Sequence, residues 1–229
     1  MAKLQSSEIV GVANRPATIC VNTVCLWFDT TNLKPMASYC ALLGIWSADG
    51  ALATARYNLA GAGTQNAGLA FGGGLYYACN NTEEYNGTSW LAGGALITAR
   101  QRLAGAGTQN AGLAIGGGYF SACNNTEEYN GTSWAVGGVL ITARSFLAGA
   151  GTQNEGLAFG GYSSYMGVSC TEEYNGTSWS AGGALITARQ RLAGAGTQNA
   201  GLAFGGGLYS ACNNTEEYSK TLLIVDCYL

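Results

Sequence analysis

The sequence contains no histidine. That removes the commonest metal ligand and the commonest general base near neutral pH, so His-built metal centres and His-dependent catalysis are excluded. Charge is scarce too: 10% of residues are Asp, Glu, Lys or Arg, and the formal net charge is -3. A basic footprint for nucleic acid is missing. Prolines number only 2, and no apolar run approaches the ~20 residues that cross a bilayer as a helix, so membrane insertion is not expected. The opening MAKLQSSEIVGVANRPATIC lacks the apolar core of a signal peptide, with Glu8 and Arg15 interrupting it. The expectation is synthesis in a cytoplasm without export, and free thiols rather than disulfides among the 8 cysteines.

Glycine is what the chain has in excess: 36 residues, about twice the ordinary share. With 48% hydrophobic residues the composition is not that of a disordered chain. Most of the glycine lies in a repeat. The stretch LAGAGTQNAGLAFGGGLYYACNNTEEYNGTSW at 59–90 returns as LAGAGTQNAGLAIGGGYFSACNNTEEYNGTSW at 103–134. Arg56, Arg100, Arg144 and Arg189 recur at steps of 44, 44 and 45, and Trp46, Trp90, Trp134 and Trp179 keep the same steps. A fixed period of this size indicates a propeller or a solenoid.

Local pattern decides between them. No 3.6-residue apolar stripe persists, and each unit reads as four short strands: LAGAG, AGLAFGG, NTEEY and TSWLAG. TQN supplies the first turn and YNG the last, Asn-Gly being the favoured pair for a type I′ hairpin. Four antiparallel strands, repeated, make a propeller blade. The predicted fold is therefore an all-β propeller. Four clear repeats fall at about 51–94, 95–138, 139–183 and 184–229. A divergent fifth blade is expected at about 12–50 after an N-terminal arm, 1–11. In that blade Arg15, CLWFDTT (25–31), Tyr39 and Trp46 take the repeat positions, and in the last repeat Leu223 stands in the Trp place. The competing arrangement is four blades with residues 1–45 as an attachment arm.

These residues carry a resemblance. Gly72-Gly73 closing an apolar strand, Glu84-Tyr85, Trp90 and the Arg100 that opens the next unit together resemble the Kelch repeat, with Trp134, Arg144, Trp179 and Arg189 as later copies. The match spans 46–218. The wording of the repeat is also similar to Kelch-like virion structural proteins of marine tailed phages. That resemblance implies a structural or binding protein of a virus particle (a fibre, appendage or decoration protein), with other virion proteins or a host-surface glycan or protein as partners.

The motifs that look like chemistry read as scaffold. GAGTQNAG departs from G-x-G-x-x-G at Asn66 and precedes no helix that could hold a phosphate. Glu83 and Glu84, adjacent on a strand, point to opposite faces and cannot act as a carboxylate pair. One is expected exposed, the other paired with a repeat arginine. The three Asn-Gly-Thr sequons coincide with the predicted turns. Repeat tryptophans are expected between blades. No catalytic residue, metal site or cofactor is predicted.

Variation among the repeats points elsewhere. After the TAR triplet the sequence reads YN, QR, SF and QR, and after Gly-Gly it reads GLYYACNN, GYFSACNN, YSSYMGVSC and GLYSACNN. In an up-and-down blade both segments lie on one face. Tyr76, Tyr77, Tyr119, Phe120, Tyr162, Tyr165, Met166 and Tyr209 are thus the candidate binding rim, rich in the residue type favoured at interfaces. Drift in unconstrained loops is the alternative. Function is expected to be non-enzymatic binding, with a carbohydrate-binding propeller as the second possibility and an intracellular Kelch adaptor as the third; self-association is compatible with either of the first two.

Overall fold

The computed structural model describes residues 19–21, 24–29, 34–39 and 46–220, in two compact units, Met1–Ala48 and Asp49–Leu229. In the first, β1 (Ile19–Val21), β2 (Val24–Asp29) and β3 (Lys34–Tyr39) form an antiparallel sheet in sequence order. The strand expected at CLWFDTT is thus present as β2. Trp46 opens no strand and is fully exposed, unlike its counterparts Trp90, Trp134 and Trp179. The arm 1–11, Arg15 and Leu223 lie outside the described residues.

The second unit carries four blades of a β-propeller, where five had been expected along the chain. Blade 1 comprises β4 (Ala60–Thr64), β5 (Ala67–Phe71), β6 (Thr82–Tyr85) and β7 (Trp90–Ala92). Blade 2 comprises β8 (Ala104–Thr108), β9 (Ala111–Ile115), β10 (Thr126–Tyr129) and β11 (Trp134–Val136). Blade 3 has β12 (Ala148–Gly151) and β13 (Gly156–Phe159), then a small hairpin of β14 (Tyr162–Ser163) and β15 (Met166–Gly167), then β16 (Thr171–Tyr174) and β17 (Trp179–Ala181). Blade 4 has β18 (Ala193–Gly196), β19 (Ala200–Phe204) and β20 (Thr215–Ser219). Every blade pairs antiparallel in chain order, and the described residues contain no helix.

Small residues in the innermost strands follow from how closely those strands approach. A Cβ on Gly105 would lie 2.5 Å from the Gly61 carbonyl oxygen of the preceding blade, and one on Gly194 2.9 Å from that of Gly149. Only Gly tolerates such an approach. The core consequently sits in the seams between blades. In the first seam Leu69 and Phe71 of blade 1 pack with Leu96, Leu103, Tyr129 and Trp134. The Trp134 ring lies 4.9 Å from Phe71, and its indole N–H donates to Thr82 Oγ1 at 2.9 Å; Trp179 repeats that bond to Thr126. Tryptophan between blades, as expected from the sequence, is what the fold shows.

In blades 1 to 3 both TEEY glutamates are engaged, which corrects the expectation that one is exposed; in blade 4 that expectation holds, Glu217 being exposed. The first is buried in blades 1 to 3, half-buried in blade 4, and holds the strap that crosses between blades. Glu127 accepts the backbone N–H groups of Ile97 at 2.7 Å and Thr98 at 3.2 Å and pairs with Arg100 at 3.2 Å. Glu83–Arg56, Glu172–Arg144 and Glu216–Arg189 are its copies. The second glutamate accepts from the tyrosine of the next blade: Tyr129 donates to Glu84, and Tyr174 to Glu128 at 2.5 Å. Burial, reinforced by these carboxylates, pushes the Tyr129 and Tyr174 phenols up to about 12. For Arg100 burial pulls the guanidinium pKa down, partly offset by Glu127 and Cys123.

The Asn-Gly turns also differ from the type I′ expectation. Tyr85 pairs with Trp90, so four residues, 86–89, form the loop. Asn86 Oδ1 accepts from the backbone of Thr88 at 3.0 Å and Ser89 at 2.9 Å, an Asx-type turn in which Gly87 alone takes positive φ, +93°.

Candidate binding site

The variable segments meet on one face because the backbone ties them together. Tyr57 bridges Gly74, Gln101 bridges Gly118, Ser145 bridges Tyr162 and Gln190 bridges Gly207. Gly72-Gly73 makes the exit from the second strand possible. Their φ values are +63° and +84°, a Cβ on Gly72 would meet the Arg100 carbonyl oxygen at 2.7 Å, and the Gly73 N–H donates to that same oxygen at 2.9 Å. The hairpin loops lie at the other end of the strands, with Gly87 beside Asn66.

Of the eight rim residues, Tyr76, Tyr77, Phe120, Tyr165, Met166 and Tyr209 are exposed, whereas Tyr119 and Tyr162 are half-buried. Tyr119 links two blades: its hydroxyl donates to the Tyr76 carbonyl at 3.1 Å, and its ring lies 6.1 Å from Tyr77 and 3.9 Å from Phe120. In blade 3 the rim is a hairpin whose two turn residues, Ser164 and Tyr165, have φ of +48° and +66°. Positive φ at both central positions is the I′ signature, here without glycine and with a bulky residue held in a strained region. Between the rims of blades 2 and 3 is a cleft of about 340 Å³, walled by Tyr119, Phe120, Phe146, Tyr162 and Tyr165 and floored with serines and Arg102.

A second cavity, about 500 Å³, opens where the four loops leading into the innermost strands converge. Asn58, Arg102, Phe146 and Arg191 stand at equivalent places, all with φ between +53° and +62°. After Asn58, each N–H donates to the carbonyl of its predecessor at 2.8 Å, Arg102 to Asn58, Phe146 to Arg102 and Arg191 to Phe146. Sequence reasoning noted this variable pair but passed over its arginines. The available signal was their rarity in a weakly charged chain. It also passed over the TQN glutamine: Gln109 Nε2 donates to the carbonyls of Gly68 at 3.1 Å and Tyr85 at 2.7 Å in the preceding blade, and Gln153 and Gln198 do the same.

Cys79, Cys123, Cys170 and Cys212 are unlinked and sit within their blades, Cys170 Sγ lying 3.1 Å from the Arg144 guanidinium. Among the described residues no three His, Cys, Asp or Glu converge. Neither a protein-family model nor a curated protein sequence matches the chain.

Proposed function

We propose that the chain is a non-enzymatic binding module, a Kelch-like propeller of a phage particle, acting in a fibre, appendage or decoration role. It engages another virion protein or the host surface through its aromatic face. The observation that supports this reading is the gathering of exposed Tyr76, Tyr77, Phe120, Tyr165, Met166 and Tyr209 on one face of an otherwise small-residue scaffold. Rigid tyrosines give contact area at low entropic cost. The virion setting rests on the resemblance of the repeat wording. A carbohydrate-binding role is the second reading, favoured by the serine-floored cleft between aromatic walls.

The test replaces Tyr76, Phe120 and Tyr165 with Ser. Interface anchors commonly contribute ~2 kcal/mol or more each, so attachment to virions or host cells should fall by about 30-fold per anchor. On the opposite face, Asn130→Ala removes the acceptor of two turn N–H groups. It should lower stability by about 1 kcal/mol and leave attachment intact. Equal attachment losses from both faces refute the assignment of the face. An antibody to the chain that fails to label purified particles refutes the virion setting.

A further inference from the structure

The described residues of the second unit include seven cations, and five of them are neutralised: Arg56, Arg100, Arg144 and Arg189 by their glutamates and Lys220 by Glu173. Arg102 and Arg191 have no carboxylate within salt-bridge distance among the described residues. These two belong to alternate blades, yet both stack on one ring. Their guanidinium carbons lie 4.8 Å and 4.7 Å from the Phe146 centroid. Arg102 reaches the Tyr119 carbonyl at 3.4 Å, a weak bond, while its buried Nε has no partner. Two like charges are thereby held around one aromatic plane, over a cavity with no acidic lining residue among the described residues. The net charge of -3 means that no general basic field explains the arrangement.

We propose that Arg102 and Arg191 form an oxyanion site for an acidic saccharide, bearing carboxylate or sulfate. Guanidinium groups bind either anion through paired N–H donors, and stacking on Phe146 fixes their planes in advance. Arg102 also lines the neighbouring cleft, where Phe120, Tyr162 and Tyr165 offer ring faces and Ser121, Ser163 and Ser164 offer hydroxyls. A ligand that suits both cavities carries an anionic group next to a polyhydroxylated ring. A peptide acid would use the arginines and leave the serine-rich cleft without a matching partner. The assignment rests on the reading of this face as the binding face and names the chemistry that it takes.

Titration calorimetry at low and physiological salt tests it, with oligogalacturonate, sulfated dextran oligomers, uncharged dextran and oligoglutamate as probes. Oligogalacturonate identifies carboxylate as the recognised group, and sulfated dextran identifies sulfate. At least one charged saccharide should bind, weaken with salt, and lose about tenfold or more in affinity in Arg102→Gln and in Arg191→Gln. Uncharged dextran should bind weakly or not at all. Arg191 is exposed, so its variant remains folded even where the half-buried Arg102 does not tolerate change. Unchanged affinity in Arg191→Gln, equal binding of uncharged dextran, or preference for oligoglutamate overturns the proposal. If no charged saccharide binds while Tyr165→Ser still abolishes attachment, the oxyanion site falls and the aromatic face stands; if neither responds, both fall.

Discussion

Gln153 and Gln65 occupy the same place in the same TQN turn, so an effect of turn chemistry should treat them alike. The structure separates them. Gln153 clamps two carbonyls of the preceding blade, Gly112 at 3.1 Å and Tyr129 at 2.7 Å, whereas Gln65 is exposed with no such bond among the described residues. Removing the Gln153 amide deletes two hydrogen bonds worth about 1 kcal/mol each, so Gln153→Ala should lose about 2 kcal/mol. With a urea slope of about 2 kcal/mol/M the midpoint falls by about 1 M, at unchanged slope. Gln65→Ala should stay within ~0.5 kcal/mol of the parent, as surface changes do. Gln153→Glu should cost more than the alanine variant, because it turns a carboxylate toward two carbonyl oxygens. Urea unfolding followed by tryptophan fluorescence reads all three. Equal shifts for Gln65→Ala and Gln153→Ala would refute the interblade clamp.

Alkaline pH should loosen the seams in a defined window. The phenols of Tyr129 and Tyr174 are pushed from 10.0 up to about 12, so the folded state keeps protons that the unfolded chain releases. Their contribution is complete below about pH 10 and fades as the pH rises through about 12. Unfolding midpoints should therefore drop across that interval, and the drop should shrink in a Tyr129→Phe/Tyr174→Phe double variant. An identical drop in the variant counts against the assignment. Thiol titration of unfolded protein without reductant should recover at least the four unlinked repeat cysteines, Cys79, Cys123, Cys170 and Cys212. Recovery of fewer would mean that they are bridged.

Period and strand pattern were enough to assign the four clear repeats as blades, because each depends on neighbours within one repeat unit, but not to number the blades, of which five were expected and four are found. The same locality placed the aromatic rim on one face: strand direction dictates it, and the Tyr57–Gly74 bridge and its copies realise it. Apart from the interblade tryptophans, what lies between units was not legible. Glu84 and Tyr129 are 45 residues apart and invisible to one another in sequence, yet they share a hydrogen bond. The TQN glutamine reads as a turn residue, although three of its copies are clamps. Arg102 and Arg191 look like one residue drifting in a loop. Curvature of successive blades brings both to Phe146. Identical words in the repeat thus acquire different roles from the blade on either side of them, since hydrogen-bond partners and burial belong to the seam rather than to the unit.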